Sequence, residues 1–312
     1  MPGKRIDRGD LVTALRLGLA LPQYGKLADP SAVAGFAAAA EDLGFASLWV
    51  GDRVLTPIAP QTYYPGGGTP ERPYPPDFVH FVDPFVALTA AAGATKTARL
   101  GSSTLNGPLY SPVLLARSLT SLDVLSGGRL DVGLGLGWLR DEYTATGVPW
   151  ESRGAQLTEL IGVLRKFWTA DPVGHRSDRW EVPDSLVGLR PVQQPGPPVL
   201  LGGMSEPALR RIGRIADGWL PGGLPVPVLR RLWTVVTEAA EQAGRDPGAL
   251  RRVLRINPAP GSAAATIEDV ATQLKAAEAE GFTEALVDLH YLAETGPHAL
   301  ELAGELHAAV HR

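Results

Sequence analysis

Eight short strand-like runs alternate with eight longer amphipathic patterns along the whole chain, and this alternation predicts an α/β fold, a (β/α)8 TIM barrel with insertions. The length of 312 residues suits such a barrel. The competing architecture is an open, doubly wound sheet, and Gly133, Gly135 and Gly137 bear on it. A dinucleotide fingerprint begun at Gly133 puts its third required glycine on Trp138, and one begun at Gly135 puts it on Arg140. The segment also lies mid-chain, with no acidic residue closing a strand about 20 residues later. The barrel is therefore favoured, as one domain over residues 1–312.

Leu15 to Leu21 reads as the first strand and Ser31 to Leu43 as the first helix, with Asp29 ahead of Pro30 at its start. Phe45 to Gly51 is the second strand. Residues 52–82 are rich in Pro, with Gly66, Gly67 and Gly68 in a row and several Tyr and Phe, so they form a long loop; such loops in compact domains are usually lids or binding surfaces. Pro84 to Ala94 is the second helix, Leu100 to Leu105 the third strand, Pro112 to Leu125 the third helix, and Leu130 to Gly135 the fourth strand. Gln156 to Trp168 is the fourth helix, followed by a second Pro-rich insertion at 171–198. Val199 to Leu201, Gly218 to Leu220, Val253 to Asn257 and Ala285 to Leu289 supply the last four strands. Pro207 to Ala216, Val228 to Ala243, Ile267 to Glu280 and Pro297 to His311 supply the last four helices.

The 36 Gly and 28 Pro follow no collagen period and no low-complexity run, so they punctuate folded structure. A net charge of -4 argues against a nucleic-acid or polybasic membrane surface and for a small-molecule partner. The absence of cysteine excludes disulfides, iron–sulfur clusters, thiolate zinc sites and cysteine nucleophiles. Lys4, Arg5 and Arg8 ahead of Leu11 to Leu21 have the outline of a secretory signal, but Arg16 breaks the apolar region and no small-residue cleavage site precedes Pro22. A cytoplasmic location is expected. No uncharged apolar run is long enough to span a membrane.

In a barrel the reacting groups stand where strands end. Those ends are Asp52 and Arg53, Ser103 to Asn106, Gly135 to Trp138, Gly202 to Ser205, Trp219, Asn257 and His290. Gly202, Gly203, Met204 and Ser205 lead into a helix, where free backbone N–H groups and the helix dipole favour an anion such as phosphate. The same glycines equally serve a tight strand-to-helix turn, and Gly135 and Gly137 equally serve close packing inside the barrel.

Several segments, taken together, carry a family likeness. They are Ser47-Leu48-Trp49-Val50-Gly51-Asp52, Leu100-Gly101-Ser102-Ser103-Thr104-Leu105-Asn106, Ser111-Pro112-Val113-Leu114-Leu115-Ala116, Leu122-Asp123-Val124-Leu125-Ser126-Gly127-Gly128-Arg129, Gly135-Leu136-Gly137-Trp138-Leu139-Arg140-Asp141-Glu142, Pro198-Val199-Leu200-Leu201-Gly202-Gly203 and Asp217-Gly218-Trp219-Leu220-Pro221. In this order they resemble the luciferase-like flavin and deazaflavin oxidoreductase superfamily, and most of all its branch that uses coenzyme F420. The resemblance implies a homodimeric (β/α)8 barrel with the cofactor ring at the C-terminal mouth. It implies a non-prolyl cis peptide at Ser103–Thr104 behind the ring, with Asp52 and Asn106 nearby. Gly202, Gly203 and Met204 would hold the cofactor phosphate, while Gly135, Gly137 and Trp138 would flank the ring and its ribityl chain.

Two positions depart from the family pattern. Many relatives have Asp-His where this chain has Asp52-Arg53, which removes a group titrating near neutrality. Arg53 is free to pair with Asp52, an acidic substrate or the cofactor tail. Relatives acting on sugar phosphates have Glu at the place of Trp138, which here suits an aromatic wall. His290 is the one histidine near a strand end and is the candidate proton donor, although a loop histidine without a catalytic role is the simpler reading. His307 and His311 lack the intervening Glu of a zinc protease, so no metal is expected. Tyr63, Tyr64, Tyr74, Phe78 and Phe81 either line the substrate pocket or hold the long loop in place.

The expected activity is an F420-dependent transfer of hydride between C5 of the coenzyme and a small organic substrate, with Asp52, Arg53 and His290 as candidate catalytic groups. An FMN-dependent monooxygenase is the alternative. A lyase or isomerase would want more acidic or basic groups at the strand ends than Asp52, Asp288 and His290, and a non-catalytic deazaflavin carrier would need none.

Overall fold

The computed structural model describes residues 15–311; the basic stretch with Lys4, Arg5 and Arg8 lies outside them. The elements in order are β1 (Arg16–Ala20), α1 (Val33–Asp42), β2 (Ser47–Val50), α2 (Pro84–Ala94), β3 (Arg99–Ser102), β4 (Leu105–Asn106), α3 (Pro112–Leu125) and β5 (Leu130–Gly135). After them come α4 (Arg140–Thr146), α5 (Arg153–Thr169), β6 (Val173–Arg176), β7 (Glu181–Ser185), β8 (Val199–Gly202), α6 (Glu206–Ile215) and β9 (Gly218–Leu220). The chain ends with α7 (Val226–Gln242), β10 (Arg251–Ile256), α8 (Ile267–Ala279), β11 (Glu284–Val287) and α9 (Gly296–Val310).

Eight strands pair in parallel in the order β3, β2, β1, β11, β10, β9, β8, β5. The ring closes where β3 meets β5 through Leu100 opposite Leu130 and Gly101 opposite Asp131. Closure removes the open edges of a doubly wound sheet and establishes the (β/α)8 barrel.

Four elements differ from the sequence expectation. The third strand breaks after Ser102 at a cis peptide between Ser103 and Thr104, and the chain resumes as β4, pairing Leu105 with Leu134 and Asn106 with Gly135. Helix α4 was not expected, because its seven residues are too short to show a helical period before Gly147 caps them. The second insertion contains an antiparallel hairpin, β6 with β7. Strand β10 also starts two residues early, because Arg251 and Arg252 do not read as strand formers although Arg251 points to an ion-paired layer.

The barrel interior is filled in levels. Trp49, Leu200, Leu220, Val253 and Leu286 form one apolar cluster. Trp49 fits because its neighbours carry no side chain: a Cβ on Gly101 would sit 2.3 Å from the Trp49 ring, and one on Gly18 2.7 Å from its Nε1. The indole N–H donates to Ser47 Oγ at 2.8 Å. At the N-terminal end of the strands, Asp131, wholly buried, accepts from Arg99 and from both terminal nitrogens of Arg251, and Arg251 also pairs with Glu284 at 2.7 Å. Burial would raise the Asp131 pKa, but the Arg99 and Arg251 hydrogen bonds outweigh it and hold the group below the ordinary value. No helix among the described residues is long and apolar enough to cross a membrane.

Candidate active site

A cavity of about 300 Å³ opens at the C-terminal ends of the strands. Trp49 is part of its floor, and Ser103, Thr104, Asn106, Gly137 and Trp138 contribute to one side. The 52–82 loop roofs it with Tyr64, Phe78 and Phe81. The loop is tied down: Thr62 Oγ1 donates to the Trp138 carbonyl at 2.9 Å, the Gln61 N–H to Asp141 Oδ2 at 2.9 Å, and Tyr74 OH to the Pro57 carbonyl at 2.5 Å. Tyr64, Phe78 and Phe81 thus face the cavity, whereas Tyr74 braces the loop and Tyr63 is exposed. The unexpected α4 is the platform on which this lid rests.

Asp52 and Arg53 follow β2 and are clamped from two sides. Asp52 Oδ2 accepts the Asn106 N–H at 2.8 Å and the Tyr110 hydroxyl at 2.9 Å, and no described hydrogen bond uses Oδ1. Burial raises the Asp52 pKa, and these two donors only partly offset it. Arg53 does not form an ion pair with Asp52: its Nη1 lies 3.4 Å from Glu142 Oε1 on α4. Glu142 is wholly buried and also accepts the Val54 N–H at 2.8 Å and Asn106 Nδ2 at 3.2 Å. Burial lifts its pKa against the pull of Arg53. The Arg53 guanidinium lies 4.7 Å from the centre of Trp138 and 5.0 Å from that of Phe78, so Trp138 is the expected aromatic wall.

The carbonyl of Ser103, at the cis peptide, accepts from Arg255 Nη1. Arg255 also donates to Asn257 Oδ1 at 2.8 Å and pairs with Asp288 at 3.1 Å, and Tyr24 OH donates to the same Asp288 oxygen at 3.0 Å. Neither Arg255 nor Glu142 is assigned a role by the sequence reading. Glu142 stands inside a quoted motif, and Arg255 alternates inward with Val253, which is the signal that could have found it.

His290 is placed elsewhere than expected. It is buried, stacks on Tyr24 at 4.1 Å, and does not line this cavity. Its Nε2 lies 3.3 Å from Asp77 Oδ1, inside ion-pair range but out of hydrogen-bond alignment. It therefore sits behind Tyr24 against the lid.

Gly135, Gly202, Gly203 and Met204 do not line the cavity, although Gly135 and Gly202 pack against Thr104, which does. A Cβ on Gly135 would meet Thr104 Oγ1 at 2.4 Å, so glycine lets β5 pass the break in β3 without displacing the Thr104 side chain. Gly203 has φ 139, and Ser205, at the start of α6, makes no side-chain cap bond. The start of α6 thus has no cap from the Ser205 side chain, its Pro207 carries no N–H, and its acidic Glu206 is engaged by Arg210 at 2.8 Å. Among the described residues no group of three or more metal-ligating side chains occurs.

The description luciferase-like monooxygenase matches residues 11–265. The chain belongs to the luciferase-like monooxygenase family. Within it, the chain is 34% identical over 210 residues to a protein of uncharacterised function from Mycobacterium tuberculosis, covering 67% of this chain and 71% of that one. It is also 34% identical over 119 residues to the oxygenase component of a flavin-dependent trigonelline monooxygenase from Acinetobacter baylyi, covering 38% and 33%. Among solved structures, an F420-dependent secondary alcohol dehydrogenase in complex with an F420–acetone adduct superposes with a TM-score of 0.75 at 17% identity, over 95% of this chain and 99% of that one. At that identity the likeness shows the luciferase-like fold.

Proposed function

We propose that the protein is an F420-dependent oxidoreductase acting on a small organic substrate. The observation that carries this reading is the cavity at the C-terminal ends of the strands, which Ser103 and Thr104 line while Arg255 anchors the Ser103 carbonyl. The glycine-lined crossing at Gly135 and the start of α6 beyond Gly203, which has no side-chain cap, suit a phosphorylated ring cofactor. Ser103, Thr104, Asn106, Gly137 and Trp138 would hold its ring, with Gly202, Gly203 and Met204 at its phosphate. The bound coenzyme supplies hydride exchange at C5.

The chain's own residues do the rest. Trp49, Trp138, Tyr64 and Phe78 exclude water and fix the substrate's plane. Asp52 holds or accepts a proton at Oδ1, with its Oδ2 fixed by Asn106 and Tyr110. Arg53 offers a donor from the opposite wall. His290 has no part in this reading, because it lies behind Tyr24. The segments that resemble the F420 branch favour the deazaflavin. FMN-dependent oxygenation is the second reading, favoured by the flavin-dependent relative. A homodimer belongs to the same proposal, supported by exposed Val86 on α2 and by Val113, Leu114 and Leu125 on α3.

A crystal structure of the protein grown with F420 tests the placement. The ring is expected against Ser103–Thr104 with phosphate at the start of α6; a ring bound anywhere else overturns it.

A further inference from the structure

Arg53 is the unusual group in this cavity. Its side chain is 8% exposed, yet it lines the cavity, held between Trp138 and Phe78 with one terminal nitrogen towards Glu142. Its Nε is buried and has no hydrogen-bond partner. A buried donor left unpaired is costly, so a ligand acceptor that the guanidinium turns to meet gains a bond without displacing an internal one.

The surrounding charge limits what that acceptor can be. Arg53 faces Glu142 and Arg255 faces Asp288, while Asp52 is a third carboxylate with no ion pair among the described residues. Both cations already have a carboxylate partner, which leaves neither of them unpaired for an anionic substrate. Shape limits it further. Tyr64 stands edge-on to Trp138 at 5.5 Å and to Phe78 at 5.4 Å, which makes an aromatic box suited to a flat molecule.

We propose that Arg53 is the specificity-determining residue of the cavity, donating its Nε–H to the oxygen of an uncharged, flat carbonyl compound, an aryl ketone being the simplest of the class. The inference deepens the proposed function and rests on the cavity being the substrate site.

The test compares three probes by isothermal titration calorimetry on the full chain: acetophenone, ethylbenzene, which lacks the acceptor, and benzoate, which adds a charge. Acetophenone is expected to bind about tenfold or more tightly than ethylbenzene, the scale of a hydrogen bond from a charged donor, and more tightly than benzoate. Arg53→Met is expected to bring acetophenone down to the level of ethylbenzene. Equal binding of the three, preference for benzoate, or a ratio that survives in Arg53→Met overturns the proposal.

Should Arg53→Met fail to fold beside the buried Glu142, the wild-type protein and the charge-conserving Arg53→Lys give the answer. The Arg53 Nε–H signal in a 15N spectrum, identified by its loss in Arg53→Lys, must shift with acetophenone and stay fixed with ethylbenzene; any other pattern overturns the proposal. Titrating the same preparation with F420 and FMN separates the two ideas. Binding of either ring without the acceptor-dependent ratio leaves the proposed function standing and removes Arg53's role. The ratio without binding of either ring does the reverse.

Discussion

The Tyr110 hydroxyl donates to Asp52 Oδ2 at 2.9 Å, on the same oxygen that takes the Asn106 N–H. Tyr110 thereby holds down a carboxyl group that burial pushes up. In Tyr110→Phe the Asp52 pKa is expected to rise further, and the pH profile of any activity that depends on it to move in the same direction. A 13C carboxyl titration of Asp52 in both proteins checks this; an unchanged or lowered value contradicts it.

Asp52→Asn tests the stability side of the same burial. A carboxyl whose folded pKa is raised stabilises the fold below its unfolded pKa and loses that contribution as pH rises through the folded value. Once ionised, Asp52 is therefore a burden on the fold, and Asn keeps an acceptor for both donors. Asp52→Asn should melt at or above the wild-type temperature at pH 7, with the gap closing towards pH 4. A markedly lower Tm at pH 7 would show that the carboxylate itself supports the fold.

Arg251→Met removes half the partners of a wholly buried carboxylate, Asp131. Breaking a buried pair from one side costs about 3–5 kcal/mol, which denaturant unfolding would register. The folded Asp131 pKa is lowered, so its contribution is present above the unfolded pKa and fades as pH falls through the folded one. The wild-type advantage over Arg251→Met should shrink in acid.

Gly101→Ala places a Cβ against the Trp49 ring in the barrel interior. Overpacking of this kind costs about 1–3 kcal/mol, and the double variant with Trp49→Phe should recover part of it. Additive losses in the two variants would mean that the methyl group is accommodated elsewhere.

The barrel was legible because its signal is local: each strand is a short apolar run, and each helix shows its own period. Leu17, Leu48, Leu100 and Val132 are core positions any periodicity finds. The candidate site was legible only where cavity-lining residues coincide with strand ends, as at Asp52, Ser103 and Trp138. Glu142 and Arg255 were missed because their roles arise from pairing across 89 and 152 residues of chain, Glu142 with Arg53 and Arg255 with Ser103. His290 shows the converse, since a strand-end position did not bring its ring to the cavity once Tyr24 stacked over it.

Parallel fluorescence and absorbance titrations of the purified protein with F420 and with FMN test the central claim most directly. Saturable F420 binding, tighter than that of FMN and weakened in Gly203→Asp, is the predicted result. Binding of neither ring would contradict the account.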